Sequence, residues 1–307
     1  MSRARHRGTS TRRSLAGGLA AACVAAVLGL GSTSAGGEAV QFEPVKTTVG
    51  PPLTTTTSTP MPPAAADPTV PPAPGAPGDG FKALDFLTEV YAAYEVDPTA
   101  ALKFEAVLVP GSVADHYFRY LVEFGRFATE YGWGQQSTVT PADTGAGGDV
   151  EVCSIGVELA TGTGSSEPPV CLTYGAFAAG ADGRLESFTV NGKPLTGRFG
   201  AIAPQAAGTA TVDRGVAFKR VTNESLNVLL QLSSPADVSF DFGTAVYVDP
   251  SGAQTPINAE ESSWYTAIPA GGSRWVLLNF PGAAPGGSVH VAGGDGTAVV
   301  VAVTPAA

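Results

Sequence analysis

Residues 112–132 read SVADHYFRYLVEFGRFATEYG. Ser112 and Asp115 have the spacing of a helix-opening capping box. Val113, Tyr117, Leu121, Phe124 and Ala128 recur at three and four, which predicts the buried stripe of a helix. His116, Arg119, Glu123, Arg126 and Glu130 share the opposite stripe, spaced so that charges can pair along it. Read in this way, the segment lays one face on a protein layer and turns the other to solvent.

The flanking segments extend that reading. FKALDFLTEVYAAYEV (81–96) places Phe81, Leu84, Leu87, Tyr91 and Tyr94 on one helical face, with Asp79 as N-cap and Pro98 as the stop. TAALKFEAVLVPG (99–111) reads as a further short helix. Beyond Gly132 the period changes to two. DVEVCSIGVEL (149–159), PVCLTYGAFAAG (169–180) and RLESFTVNGKPL (184–195) read as strands, and Asn191-Gly192 is a two-residue hairpin signal. Helices followed by a strand meander predict an α+β unit over 81–200, its helices packed on a curved antiparallel sheet.

From 205 to 307 the helical signal disappears. GTATV, VAFKRVT, SLNVLLQLS, VSFDFGTAVYVD, SSWYTAI, SRWVLLNF, SVHVAG and TAVVVAV follow one another, separated by turn sequences such as DPSG and PAGG. This predicts a second, all-β unit, a sandwich. Leu226, Val228, Leu230 and Leu232 face one way, and Trp275 and Leu277 are expected in the same core.

Two resemblances follow from these residues. The helix–strand order closing in RLESFTVNGKPLTGRF resembles exported actinobacterial domains of the NTF2-like (cystatin-like cone) class. IPAGGSRWVLLNF followed by GGSVHV resembles the late strands of small bacterial Ig-like domains. The first implies a cone used either as an enzyme pocket or as an interaction scaffold; neither fixes an activity.

The N-terminus carries five arginines and then an uncharged apolar run, Leu15 to Leu30, ending in small residues. This is the pattern of a secretory signal over residues 1–35, with cleavage after Ala35 and Thr33 at the −3 position. The alternative is a retained anchor. TRRSL suits a twin-arginine address or an ordinary basic n-region, and Cys23 lies mid-run, away from a lipidation position. Residues 36–80 form a Pro/Thr-rich linker, ten prolines falling between 51 and 80. Without residues 1–35 the chain has 12 basic and 27 acidic residues, a net charge of about −15. Such a surface repels phosphate backbones and excludes nucleic acid as a partner.

Cys153 and Cys171 are the cysteines outside the N-terminal run. In an exported chain they predict a disulfide. A symmetric hairpin across ATGTGSSEPP would not set them opposite one another, so a bulge or a non-neighbour pairing is required. Two thiols without a nearby histidine do not complete a metal shell. His116 heads a charged stripe and is expected to face solvent, the alternative being a base at the mouth of a pocket. His290 alternates out of a valine strand. No G-x-S-x-G, H-E-x-x-H, phosphate loop or EF-hand spacing occurs, so no catalytic, cofactor-binding or metal residue is assigned. The sequence points to an exported, non-enzymatic envelope or extracellular scaffold that contacts a protein or wall component, and a membrane only if residues 15–30 are retained. The alternative is a pocket for a small apolar ligand.

Overall fold

The computed structural model describes residues 81–142, 148–293 and 298–306. The signal segment, the linker and the Asp79 cap lie outside them. Helix α1 spans Ala83–Val96 and ends where Asp97 takes an extended backbone ahead of Pro98. A 3-10 helix, Pro98–Val107, follows, the Asp97 side chain accepting from the Thr99 N–H. Helix α2, Val113–Glu130, is capped by the Ser112 hydroxyl, which accepts from the Asp115 N–H. The Asp115 carboxylate reaches back to the Gly111 N–H.

Strands β1 (Trp133–Pro141), β2 (Val150–Glu158), β3 (Thr163–Gly164), β4 (Val170–Ala179), β5 (Leu185–Val190) and β6 (Lys193–Pro194) form the first sheet. Its order is β1-β2-β4-β5-β6, with β3 on β2, and each pairing is antiparallel. Asn191 and Gly192 both take positive φ, so the β5–β6 hairpin closes as the dipeptide demands.

Cys153 and Cys171 are direct partners on β2 and β4 and form the disulfide. A bulge makes this register possible. The pairs Val157–Gly164 and Ser154–Val170 enclose residues 155–156 on one strand and residues 165–169, SSEPP, on the other. Three extra residues loop out there, and two prolines among them cannot donate to a ladder. A disulfide persists in an oxidising compartment, and among the described residues no helix is long and apolar enough to cross a membrane.

The remaining strands are β7 (Phe199–Ile202), β8 (Gln205–Ala207), β9 (Ala210–Lys219), β10 (Leu226–Ser234), β11 (Val238–Val248), β12 (Gln254–Pro256), β13 (Ala267–Ile268), β14 (Gly272–Phe280), β15 (Ser288–Gly293), β16 (Ala298–Ala302) and β17 (Thr304–Pro305). They build two sheets, β14-β10-β9-β7-β17 with β8 on β9, and β12-β11-β15-β16 with β13 on β11. GTATV and VAFKRVT belong to one strand, β9, because the register slips opposite Gln231 and Leu232 and lets Asp213 bulge. Of SSWYTAI, only the last two residues form a strand, β13.

The expected α+β NTF2-like cone followed by an Ig-like sandwich is not the fold adopted. The described region is mostly strand, 48%, in three antiparallel sheets, with the helices at its N-terminal end. The physical reason is the second face of α2. Ten of its residues are buried, among them Tyr120, Val122 and Phe127 outside the predicted stripe, while Val113 and Leu121 are only half-buried. A helix with large apolar side chains on two faces must be covered on both. The first sheet covers one side, through Tyr117 against Phe188 at 5.2 Å. The second sheet covers the other, through Tyr120 against Phe218 at 4.8 Å.

The second sheet is correspondingly two-faced. Leu226, Val228, Leu230 and Leu232 pack against the third sheet with Val276, Leu278 and Phe280. Trp275 and Leu277 join Leu229 and Phe218 in the other core, beneath α2, because they alternate away from the sandwich. A clasp reinforces the join. Glu224 is held by Arg198, Lys193 and Lys219, and its hydrogen bonds to Arg198 and Lys193 bring its pKa down to about 2. Lys193 also donates to the Val221 carbonyl.

Two outcomes follow. Leu277→Ala should cost about 2–5 kcal/mol and lower one cooperative unfolding transition, read by circular dichroism and by tryptophan fluorescence together. Two separated transitions would contradict a core shared by helix and sandwich. Replacing both Cys153 and Cys171 by Ser should lower stability by about 2–4 kcal/mol in urea titration, with reductant doing the same to the parent chain; two alkylatable thiols in the native protein would rule the staple out.

Candidate functional site

The interior between α1, α2 and the two sheets is the place where polar side chains converge. α1 supplies Tyr91, and α2 supplies Tyr117 and Tyr120. Ser154 comes from β2, Phe218 from β9 and Asn227 from β10, with Arg220 and Thr222 from the turn between the last two. They line a hollow of about 70 Å³. A buried water needs about 10–15 Å³, whereas organic ligand sites run to about 300–1,000 Å³. The hollow is therefore of water size.

Two of its lining side chains, Tyr91 and Tyr117, belong to a tyrosine triad. Tyr174 sits at the centre, its hydroxyl 2.6 Å from that of Tyr91 and 2.7 Å from that of Tyr117. Burial pushes Tyr91 up to about 12 and raises Tyr117 and Tyr174 well above the usual phenol value, so all three stay protonated at neutral pH. Three hydroxyls carry three protons but make two mutual bonds. If Tyr174 accepted from both neighbours, its own proton would be buried without an acceptor. The surplus donor therefore falls to Tyr91 or Tyr117, which both line the hollow. The Thr222 hydroxyl, which also lines it, is buried without a hydrogen-bond partner.

A second polar chain leaves the same place. The Asn227 amide donates to the Tyr120 hydroxyl at 3.1 Å, and its oxygen accepts from Asn279 at 2.7 Å. Asn279 donates to Ser225, Ser225 donates to Asn223, and Asn223 donates to Glu261. Glu261 also pairs with Arg220 at 3.2 Å, which closes the circuit at the hollow. Asn227 and Asn279 are direct cross-strand partners, both buried. They are the site residues that sequence reasoning missed. Each stands inside an otherwise apolar strand, and a buried amide in such a run needs a partner across the sheet.

Arg220 is the charged side chain lining the hollow; the lining includes no carboxylate or histidine. His116 lies outside the lining, half-buried with its ring 5.9 Å from that of Phe199. This corrects its placement on a purely solvated stripe: β7 covers it. Asp115, beside it, is committed to Gly111 and Arg119. His290 alternates outward between buried Val289 and Val291, is half-buried beside the Ser288 hydroxyl, and burial lowers its pKa. Glu151, Cys153 and Cys171 cluster closely enough to suggest a metal, but the disulfide leaves no thiolate to bind one. The structure does not bring the two histidines and the cysteine pair together. Ala35 lies outside the described residues. Comparisons with protein-family models, with curated proteins and with solved structures find no match for this chain.

Removing the central hydroxyl tests the triad. Tyr174→Phe leaves two buried hydroxyls unpaired and should cost about 1–3 kcal/mol. In the parent chain, phenol pKa values raised in the folded state contribute stability below pH 10 that is lost as pH rises towards 12. Ultraviolet titration should show the triad ionising only with unfolding in that window. Ionisation of every tyrosine near pH 10 in folded protein would contradict the buried triad.

Proposed function

We propose that this is an exported, non-enzymatic protein of the cell envelope or extracellular space, acting by contact with a protein or wall component. The observation that carries the reading is the filled interior. Where an enzyme or carrier of this size keeps a shaped hollow, aromatic side chains pack against one another here and leave about 70 Å³. The polar groups around that space are largely engaged by one another. Export is supported by the basic and then apolar residues 1–35, the proline-rich residues 36–80 and the disulfide. The strong negative charge supports a partner other than nucleic acid.

Expression from the full gene, followed by fractionation and thermal scans, tests this. The chain should be recovered outside the cytoplasm with a new N-terminus near Gly36. Short alcohols, phenols and fatty acids should leave its Tm unchanged, since a ligand that binds only the folded state raises Tm. Stabilisation by an apolar small molecule, or its turnover, would replace the contact reading with the ligand reading. Intact Met1 on membrane-bound material would make residues 15–30 an anchor.

A further inference from the structure

The last turn of α1, one face of α2 and the start of β1 enclose a groove of about 380 Å³. Its floor is Phe124, Ala128 and Trp133. Two glycines shape it. A Cβ on Gly125 would lie 2.5 Å from Pro98, so only glycine lets the 3-10 helix close on α2 there; a Cβ on Gly134 would lie 2.7 Å from the Leu159 side chain that crosses it. The rim is unusual for this chain. Five large hydrophobic side chains are exposed among the described residues, and two of them, Val96 at 87% and Leu159 at 50%, flank this one groove. Single exposed hydrophobics are ordinary, but two bordering an apolar depression mark a contact site.

The charges in its lining have one sign, with Arg126, paired to Glu123, the nearby cation acting on Asp97. Glu95 and Asp97 lie in the lining, and no lysine or arginine does. The Thr99 N–H and hydroxyl hold the Asp97 carboxyl below the usual range, so it is anionic under all physiological conditions. Glu95 also settles how a partner would engage. β1 is the terminal strand of its sheet, and an unpaired edge invites strand addition. The Glu95 carboxylate accepts from the Ser137 N–H on that edge, where a partner strand's carbonyl would dock. The groove is therefore read by an inserted side chain, as interface anchors are, and not by backbone pairing.

We propose that this groove is the docking site for a segment of another protein that presents a bulky apolar side chain flanked by lysine or arginine. The proposal rests on the contact reading above and names its surface. The apolar anchor fills the floor between Val96 and Leu159, and the flanking cations meet Glu95 and Asp97.

The test uses the full chain labelled with ¹⁵N, whose three tryptophans give separable indole signals; Trp133→Phe assigns the one in the groove. The probes are the capped hexapeptide GKLFKG and its acidic counterpart GELFEG. GKLFKG should shift the Trp133 indole saturably, and GELFEG should not. Binding should weaken about tenfold in Val96→Ser/Leu159→Ser, whose exposed sites leave folding intact, and again in 1 M salt, where the Debye length is about 3 Å. An unmoved Trp133 signal, equal binding of the acidic peptide, or an unaffected double variant would each overturn the proposal. A Trp133 shift that follows protein concentration without peptide would also overturn it, by giving the groove to a second copy. Shifts confined to other residues would defeat the groove while leaving the contact reading standing. Stabilisation by small apolar molecules in the thermal scan would defeat that reading itself.

Discussion

The structure depends on α2 being gripped from two sides. Tyr117 and Phe118 meet Phe188 of the first sheet, while Tyr120 stacks on Phe218 of the second. At the far end Tyr131 donates to the Trp275 carbonyl, and Glu130 accepts from the Trp275 N–H. Burying each large side chain removes it from water at a gain of about 1.5–3 kcal/mol, and here that gain is shared between elements distant in sequence. The first sheet alone cannot cover the helix, and the sandwich alone would leave Trp275, Leu277 and Leu229 in solvent. Each half completes the other's core.

Apolar burial at that seam brings polar groups with it, and the fold answers by pairing them. Tyr174 pairs with two tyrosines, and Asn227 bonds both Asn279 and Tyr120, while the Asn279 oxygen and the Thr222 hydroxyl stay without a partner. Breaking such bonds in a buried setting costs a great deal, so they select one register between helix and sheet. The strongest upward pKa shifts at this site belong to phenols that burial keeps neutral.

Some of the site was legible and some was not. The cysteine pairing followed from compartment and strand assignment, and counting residues called for a bulge or a non-neighbour pairing; the structure has the bulge, at SSEPP. The tyrosine triad was not legible, because Tyr91, Tyr117 and Tyr174 come from three elements whose side chains meet only after packing. β1, residues 133–141, escaped because WGQQSTVTP is largely polar. It forms an edge strand whose backbone pairs with β2 and whose inner side chains are only half-buried.

Sequence by itself determined the local elements. Period fixed both helices and Ser112 the start of α2, Asn191-Gly192 fixed its hairpin, and the apolar runs of β10, β14 and β15 fixed strands, because these depend on neighbours a few residues away. Tertiary structure decided which faces were covered. A stripe of charge on α2 looked solvated, yet Tyr120 and Phe127 between those charges required a second cover, and NVLLQL and RWVLLNF carried apolar residues on both faces. The two signals are complementary, but nothing local states that one answers the other. Burial is a property of pairs of surfaces, and the partner of each surface lies about a hundred residues away along the chain.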